Sequence, residues 1–547
     1  MKIGIYLAYQ PIRNFDIKQE GLGRLLSFLV RAFINNGHQV VIACPTWVLD
    51  GLYDLFEHEN IDTSKIEFLN TKSEPIVYRK YLNYLDKKAK KKKLKKRRIR
   101  RASTHFADSF IQFLFILNNY VVLAGICILG LIAGALFLPF YLLYGIGKIF
   151  ARLVRKTKII NILNFITKPI HKIKRIVSEK YGVYRVLEIM REDMAKKLVS
   201  HINHMVHPAD LWYSPMAFWP EFNKIKGPRV ICAPDLVTSE FSTNFSNDYM
   251  IAERTDIVRK TLLNGNYFIT YCEYVKDNLV VKQLGKEKSN VIAIPHAWNE
   301  TVEHITVNSE IQKNFKQEAN DLFAHQILQT ITNRAVDLAN KDFVGLGRSE
   351  INLKDIKYIF YASQLRGSKN IFNLIKAYEY LLREKYISEK LILTCNVKNN
   401  PQIADYILSH NLQYDILCFY GVSNMQLSAL YACAELVVNP TLYEGGFPFT
   451  FGEGMSVGTP SIMSDIPQVR EVFDGWELDE YMFDPYDYRS IAATIEKALD
   501  TLDDLYHRQK KLYDKYRVRT WNDVGQEYVE AFTHFMSLSK GDAILNE

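Results

Sequence analysis

Two carboxylates set around a glycine loop are the residues of this chain best suited to chemistry. In NPTLYEGGFPFTFGEGMSVGTPSIMSDIPQVRE, residues 439–471, an apolar strand ends at Asn439-Pro440 and the loop Glu444-Gly445-Gly446 follows. Pro448 sits where the first turn of a helix accepts proline. A loop feeding a helix N-terminus presents free N–H groups and a positive dipole end, which suits a diphosphate. Glu444 and Glu453 bracket that loop and could hold hydroxyls of a sugar and a ribose. Alone, two glutamates read equally well as surface acids. The strand, the glycine loop and the turn at Gly458-Thr459-Pro460 favour the ligand reading.

Such a site needs a rigid frame, and the sequence supplies one. MKIGIYLAY reads as a buried strand, followed by a loop holding Glu20-Gly21-Leu22-Gly23-Arg24, an amphipathic helix LLSFLVRAFINNGH and a second strand QVVIACP. Gly37 stands where a helix ends on glycine. This is a βαβ unit of a doubly wound parallel sheet. The pattern returns in RVICAPD, NYFITYC and NVIAIPH, and again in YIFYASQ, KLILTCN, DILCFYG and ELVVNPT. Two series split near residues 298–355 imply an α/β chain of two Rossmann-like domains facing a cleft, with ligands at the carboxyl ends of the strands. A length of 547 residues calls for two or three domains. The seven cysteines form no CxxC pair, as expected of a reduced, cytosolic protein. The N-terminus lacks the apolar core of a signal peptide.

The formal charge of +9 is local. Twelve of the fifteen residues from Lys87 to Arg101 are Lys or Arg, and without them the charge falls from +9 to −3. Directly after them, Phe110 to Gly147 is apolar apart from Gln112, Asn118 and Asn119, and Lys148, Arg152, Arg155, Lys156 and Lys158 follow. About 20 apolar residues cross a bilayer once. Basic residues at both ends favour the cytoplasmic side for both. A re-entrant hairpin or two short crossings fit better than one span, with Gly130 and Gly134 allowing close helix approach. The basic amphipathic stretch beyond it suits an anionic membrane surface. A nucleic-acid-binding arm is the blander reading of the polybasic run, and its adjacency to the apolar run argues against it.

The segment around Glu444 and Glu453 resembles the donor-binding signature of family 4 GT-B retaining glycosyltransferases (glycosyl transferases group 1). In that family seven residues separate two glutamates, the first on the transferred sugar and the second on the ribose or nucleotide; here eight residues separate them. Gly21 and Gly23 match the family's glycine loop near the phosphates and acceptor. YASQLRGSKN resembles the segment whose Arg and Lys neutralise the donor diphosphate: Lys369 matches the lysine, Gln364 holds the usual arginine position, and Arg366 lies two residues on. In CAPDLVTSEF, Pro234 replaces a common histidine before Asp235, which the resemblance sets at the cleft. His38 and His296 read as structural. TWNDVGQEYVEAF resembles a helix crossing back to the first domain.

The resemblance and the charge and hydropathy pattern together imply this organisation: an N-terminal acceptor domain in two parts, 1–85 and 181–298, interrupted by a polybasic, hydrophobic membrane-associated helical insertion at 86–180. An interdomain segment, 299–354, a nucleotide-sugar-binding domain, 355–515, and a crossing helix, 516–547, follow. It implies a metal-independent retaining transferase without a cofactor. That enzyme would move a sugar from a nucleotide donor to a lipid-linked or glycan acceptor at the cytoplasmic membrane face, in polysaccharide or glycolipid synthesis. Arg366, Lys369, Glu444 and Asp235 are its expected catalytic residues, and Gly21, Gly23, Gln364, Gly445, Gly446 and Glu453 its donor-binding ones. No metal site is expected, because no DxD or His/Cys cluster has ligand spacing. Nucleic acid is not an expected partner. The departures at Gln364, Pro234 and the glutamate spacing keep open a catalytically silent sugar-nucleotide-binding scaffold; a GT-B nucleotide-sugar 2-epimerase is a second rival, against which the hydrophobic insertion counts.

Overall fold

The computed structural model describes residues 1–11, 17, 21–71, 183–233, 249–302, 305, 324, 327 and 356–545. The polybasic run, the apolar stretch 110–147, Asp235 and most of 299–354 lie outside them. Contacts cluster the chain into two compact units. One comprises Met1–Ser27, Gln39–Trp212 and Glu221–Gly227; the other comprises Phe28–His38, Tyr213–Pro220 and Pro228–Glu547.

The strands form two sheets. The first holds β1 (Lys2–Tyr6), β2 (Gln39–Ala43), β3 (Ile66–Leu69), β4 (Leu211–Ser214), β5 (Arg229–Cys232), β6 (Tyr267–Thr270) and β7 (Val291–Ala293). Their order is β3-β2-β1-β4-β5-β6-β7. β1 pairs with β2, β2 with β3, β5 with β6 and β6 with β7, all parallel. The second holds β8 (Tyr358–Tyr361), β9 (Lys390–Leu393), β10 (Ile416–Cys418), β11 (Leu436–Asn439), β12 (Ser461–Ser464) and β13 (Met482–Phe483). Its order is β10-β9-β8-β11-β12-β13, with every pairing parallel.

The sequence explains why the second sheet is covered on both faces. Successive residues of a strand point to opposite sides. Ile359 and Tyr361 of β8 enter one buried cluster, with residues of the helices Ile371–Tyr380, Pro401–Ser409 and Tyr488–Asp500. Tyr358 and Phe360 enter another, with Leu430 and Tyr431 of the helix Asn424–Ala432. YIFY is apolar without alternation because both faces are buried, as in parallel sheets generally.

The first helix runs from Gly21 to Asn35 and closes where expected: Gly37 takes a φ of 80°, and the His38 N–H returns to the Phe33 carbonyl at 2.9 Å. Its start corrects the sequence reading. Gly21 to Arg24 form its first turn rather than a preceding loop. Packing sets this boundary, because a Cβ on Gly23 would lie 1.8 Å from the Ile17 carbonyl oxygen. The long helix Trp521–Leu545 stacks Phe535 on Tyr267 at 5.1 Å, and its Tyr528 and Phe532 meet Phe33 and Tyr213. Gly525 lets Ala32 come close; a Cβ there would meet the Ala32 methyl at 2.6 Å. The six cysteines among the described residues are free thiols. No helix among the described residues is long and apolar enough to cross a membrane.

Candidate functional site

In the second sheet the chain winds outward from β8 through β9 to β10, then returns to the other side of β8 with β11. The switch point therefore lies between β8 and β11, where an open α/β sheet forms its ligand crevice. The loops leaving these two strands carry Gln364, Arg366, Lys369 and Glu444. After β8 the chain makes a 3-10 turn at Gly367–Lys369. It then passes through Asn370 in the left-handed region, φ 53°, where asparagine is among the tolerated residues. The Asn370 amide donates to the Pro485 carbonyl at 2.6 Å, and Asn373 to the same oxygen at 3.2 Å. The Ser368 carbonyl accepts from the Leu442 N–H at 2.8 Å and from the Thr441 hydroxyl at 3.1 Å. These bonds sew the two loops together and bring the Lys369 ammonium onto Glu444 Oε1 as an ion pair. The two side chains are 25% and 21% exposed. Gln364 and Arg366 stand exposed in the loop that leads into this turn.

Glu453 lies elsewhere. It is on the helix Phe449–Ser456, 3% exposed. Its Oε2 accepts from the Tyr431 hydroxyl at 2.9 Å, and the Asn299 amide stands 3.5 Å from Oε1. The Thr301 hydroxyl adds a bond to the Glu453 carbonyl at 3.2 Å. Glu453 thus fastens residues 299–301 to the helix, while Glu444 is half-buried beside a cation. Sequence reasoning missed Tyr431, Asn299 and Thr301 because they lie 22, 154 and 152 residues away.

The glycine loop between the glutamates closes on the chain after β6. A Cβ on Gly446 would lie 2.8 Å from the Tyr271 Cβ, and the Cys272 thiol reaches the Gly445 carbonyl at 3.5 Å. Glu471, on the helix Pro467–Phe473, accepts from the N–H groups of Glu273 and Tyr274 at 3.0 and 2.5 Å. Its partial burial raises its pKa. His296 packs beside Tyr271, with ring centres 3.9 Å apart, and stacks on Phe449 at 5.0 Å. Burial, with Arg519 adding, brings its pKa down to about 3, so the ring is neutral. It is the packed histidine expected. Trp298 stacks on Phe447, Tyr513 and Tyr516 at 5.2–5.8 Å, further fixing the crossing segment.

The structure thus brings Lys369 and Glu444 together, sets Gln364 and Arg366 in the loop leading into the Lys369 turn, and buries Glu453. Gly21 and Gly23 belong to the other unit, in the first turn of its helix; Asp235 lies outside the described residues. Among the described residues, no group of three or more His, Cys, Asp or Glu is placed to hold a metal ion.

No curated protein matches the chain. Among solved structures, Anabaena Alr3699/HepE in complex with UDP-glucose is 10% identical, covering 97% of this chain and 99% of its own, with a TM-score of 0.52. The same protein in complex with UDP and glucose gives 11%, 97%, 99% and 0.51. The Candida albicans trehalose-6-phosphate phosphatase N-terminal domain is 12% identical, covering 97% and 96%, with a TM-score of 0.51. At such identities the likeness is one of fold, two Rossmann-like parallel sheets as in GT-B proteins. The family model of Glycosyl transferases group 1 matches residues 348–513, which hold β8 to β13 and both glutamates. The match is confined to this segment, which resembles Glycosyl transferases group 1 and makes the chain a glycosyltransferase.

Proposed function

We propose that this glycosyltransferase is a retaining, metal-independent member of family 4 that takes its sugar from a nucleotide donor, with UDP-sugars the first candidates. The observation that carries the reading is the Lys369–Glu444 pair at the switch point of the second sheet. Transfer leaves negative charge on a departing nucleoside diphosphate, and preorganised cations stabilise such charge most effectively in a half-dry site. Lys369 supplies that charge, Arg366 adds to it, and the N-terminal turn of the helix Phe449–Ser456, which has no side-chain cap, offers N–H groups. Glu444 takes a hydroxyl of the sugar, and Glu453 a ribose hydroxyl. Gln364, Gly445 and Gly446 line the donor, with Gly21 and Gly23 counted among the donor-binding candidates and Asp235 among the catalytic ones. The Anabaena structures, solved with UDP, glucose and UDP-glucose, support UDP as the nucleotide to try first.

The acceptor is a lipid-linked or other glycan at the cytoplasmic membrane face, in cell-surface polysaccharide or glycolipid synthesis. The support is in the sequence alone: the basic run 87–101 and the apolar stretch 110–147.

The test is release of nucleoside diphosphate from UDP-, GDP-, ADP- and dTDP-sugars by detergent-solubilised full chain with a membrane lipid extract. One donor should turn over, and Lys369→Ala should lower the rate about 10²–10³-fold, the usual cost of one electrostatic stabiliser. Glu453→Ala should abolish turnover too. Binding without turnover would favour a silent scaffold, and no binding to any donor would sink the donor reading.

A further inference from the structure

We propose that the Lys369–Glu444 pair makes the site discriminate an intact nucleotide sugar from the nucleoside diphosphate left after transfer; this rests on the donor reading above. The pair is held in place from the backbone. Ser368, one residue before the lysine, accepts two hydrogen bonds from Thr441 and Leu442, three and two residues before the glutamate. The Tyr361 hydroxyl reaches the Lys369 carbonyl at 3.3 Å, and Asn370 is tied to Pro485. Neither loop can swing away without breaking these bonds. The contact is therefore the resting state that an anionic ligand must open.

Opening it has a different cost for the two ligands. A diphosphate draws the Lys369 ammonium away from Glu444, leaving a carboxylate that is 21% exposed with no counter-charge and a new anion beside it. The cost lies less in losing the part-exposed pair than in setting two like charges side by side, which is unfavourable at close range. An intact nucleotide sugar relieves that cost, since its sugar hydroxyls donate to the carboxylate in the place of the ammonium. A nucleoside diphosphate has no such donors at that position. Glu444 is then both an attractive element toward the donor and a repulsive one toward the product, and specificity is the difference between the two. The device ejects product and lets the donor compete when both are present.

Calorimetric titration of the full chain with UDP, GDP, ADP and dTDP, and then with the sugar conjugate of whichever binds, tests this. Glu444→Gln keeps the shape and removes the charge. It should bind the nucleoside diphosphate about tenfold more tightly, while the nucleotide sugar gains little, so the preference for intact donor collapses. Equal shifts for both ligands, or no tightening toward the diphosphate, overturn the inference and leave the donor reading standing. No binding of any nucleotide by the wild type overturns both. A second pair guards against a folding defect in the single variant: Lys369→Met should weaken diphosphate binding, and adding Glu444→Gln to it should recover part of the loss. If the double variant binds no better than Lys369→Met, the carboxylate does not repel the product.

Discussion

Each unit places an ionic group near the carboxyl end of the first strand of a sheet, and the two groups are built differently. After β1, Gln10 donates to Glu188, Arg191 Nε donates to Glu188 at 2.7 Å, and its other nitrogens reach Glu221 at 3.1 and 3.5 Å. Arg191 is 5% exposed and both glutamates 9%. Tyr6, which ends β1, is buried nearby, and burial followed by the Glu221 charge pushes its phenol well above its ordinary pKa. After β8, Lys369 meets Glu444 in a single contact with about a quarter of each side chain exposed. Desolvation separates the roles. A fully buried charge must have its valence filled by the protein, so the first group has nothing to offer a ligand. A half-exposed lysine held by a single carboxylate can be drawn off it onto a phosphate, which a guanidinium fixed by two buried carboxylates cannot.

The comparison breaks most visibly at Arg191. Replacing it by Met leaves two carboxylates buried without a cation, which should cost about 3–5 kcal/mol. Denaturant unfolding followed by tryptophan fluorescence should show the loss, and donor binding per folded molecule should stay unchanged. A variant as stable as the wild type would mean that this network does not hold the helix Val183–His204 to the turn Pro220–Lys224.

A smaller effect is expected at Asn370, which carries the turn behind Lys369. Asn370→Ala removes the bond to Pro485 and puts an alanine at φ 53°. The lost bond is worth about 1 kcal/mol, and the left-handed conformation costs a further ~1 kcal/mol. Asn370→Gly loses the bond but tolerates the φ, so thermal unfolding should rank wild type, Gly, then Ala. Equal Gly and Ala variants would show that the turn stores no strain.

Much of this arrangement was legible in the sequence, and the rest was hidden for physical reasons. Unbroken apolar runs such as VVIA and YIFY announced parallel strands, because burial on both faces leaves no room for polar alternation. Glycine at a helix C-terminus was legible at Gly37, where φ is positive. The start of the same helix was not. Two glycines in one turn argue for a loop on propensity, yet Gly23 is helical because the Ile17 carbonyl lies where a side chain would go. β3, β4 and β13 escaped the reading; β13 is two residues long and shows no period. At the site, residue type and spacing marked Lys369 and Glu444 but could not tell that Glu453 is buried. Its partners come from a different helix and from the crossing segment, and such long-range pairing leaves no local signal. The Arg191 network was invisible for the same reason, its members lying 3, 30 and 178 residues apart.

The smallest expected effect is the one that sharpens the comparison. Lys369→Met removes a cation from a partly exposed pair, and such pairs contribute about 0–1 kcal/mol because water already screens them. The Met stem still packs along the turn, and the Ser368 and Asn370 bonds that fix the backbone do not involve the Lys369 side chain. The melting temperature should therefore stay close to wild type even though donor turnover falls by orders of magnitude. A stability loss on the scale of Arg191→Met would mean that the second group is structural like the first. Near-wild-type stability with lost turnover would separate them: one ion group spent on the fold, the other held ready for a ligand.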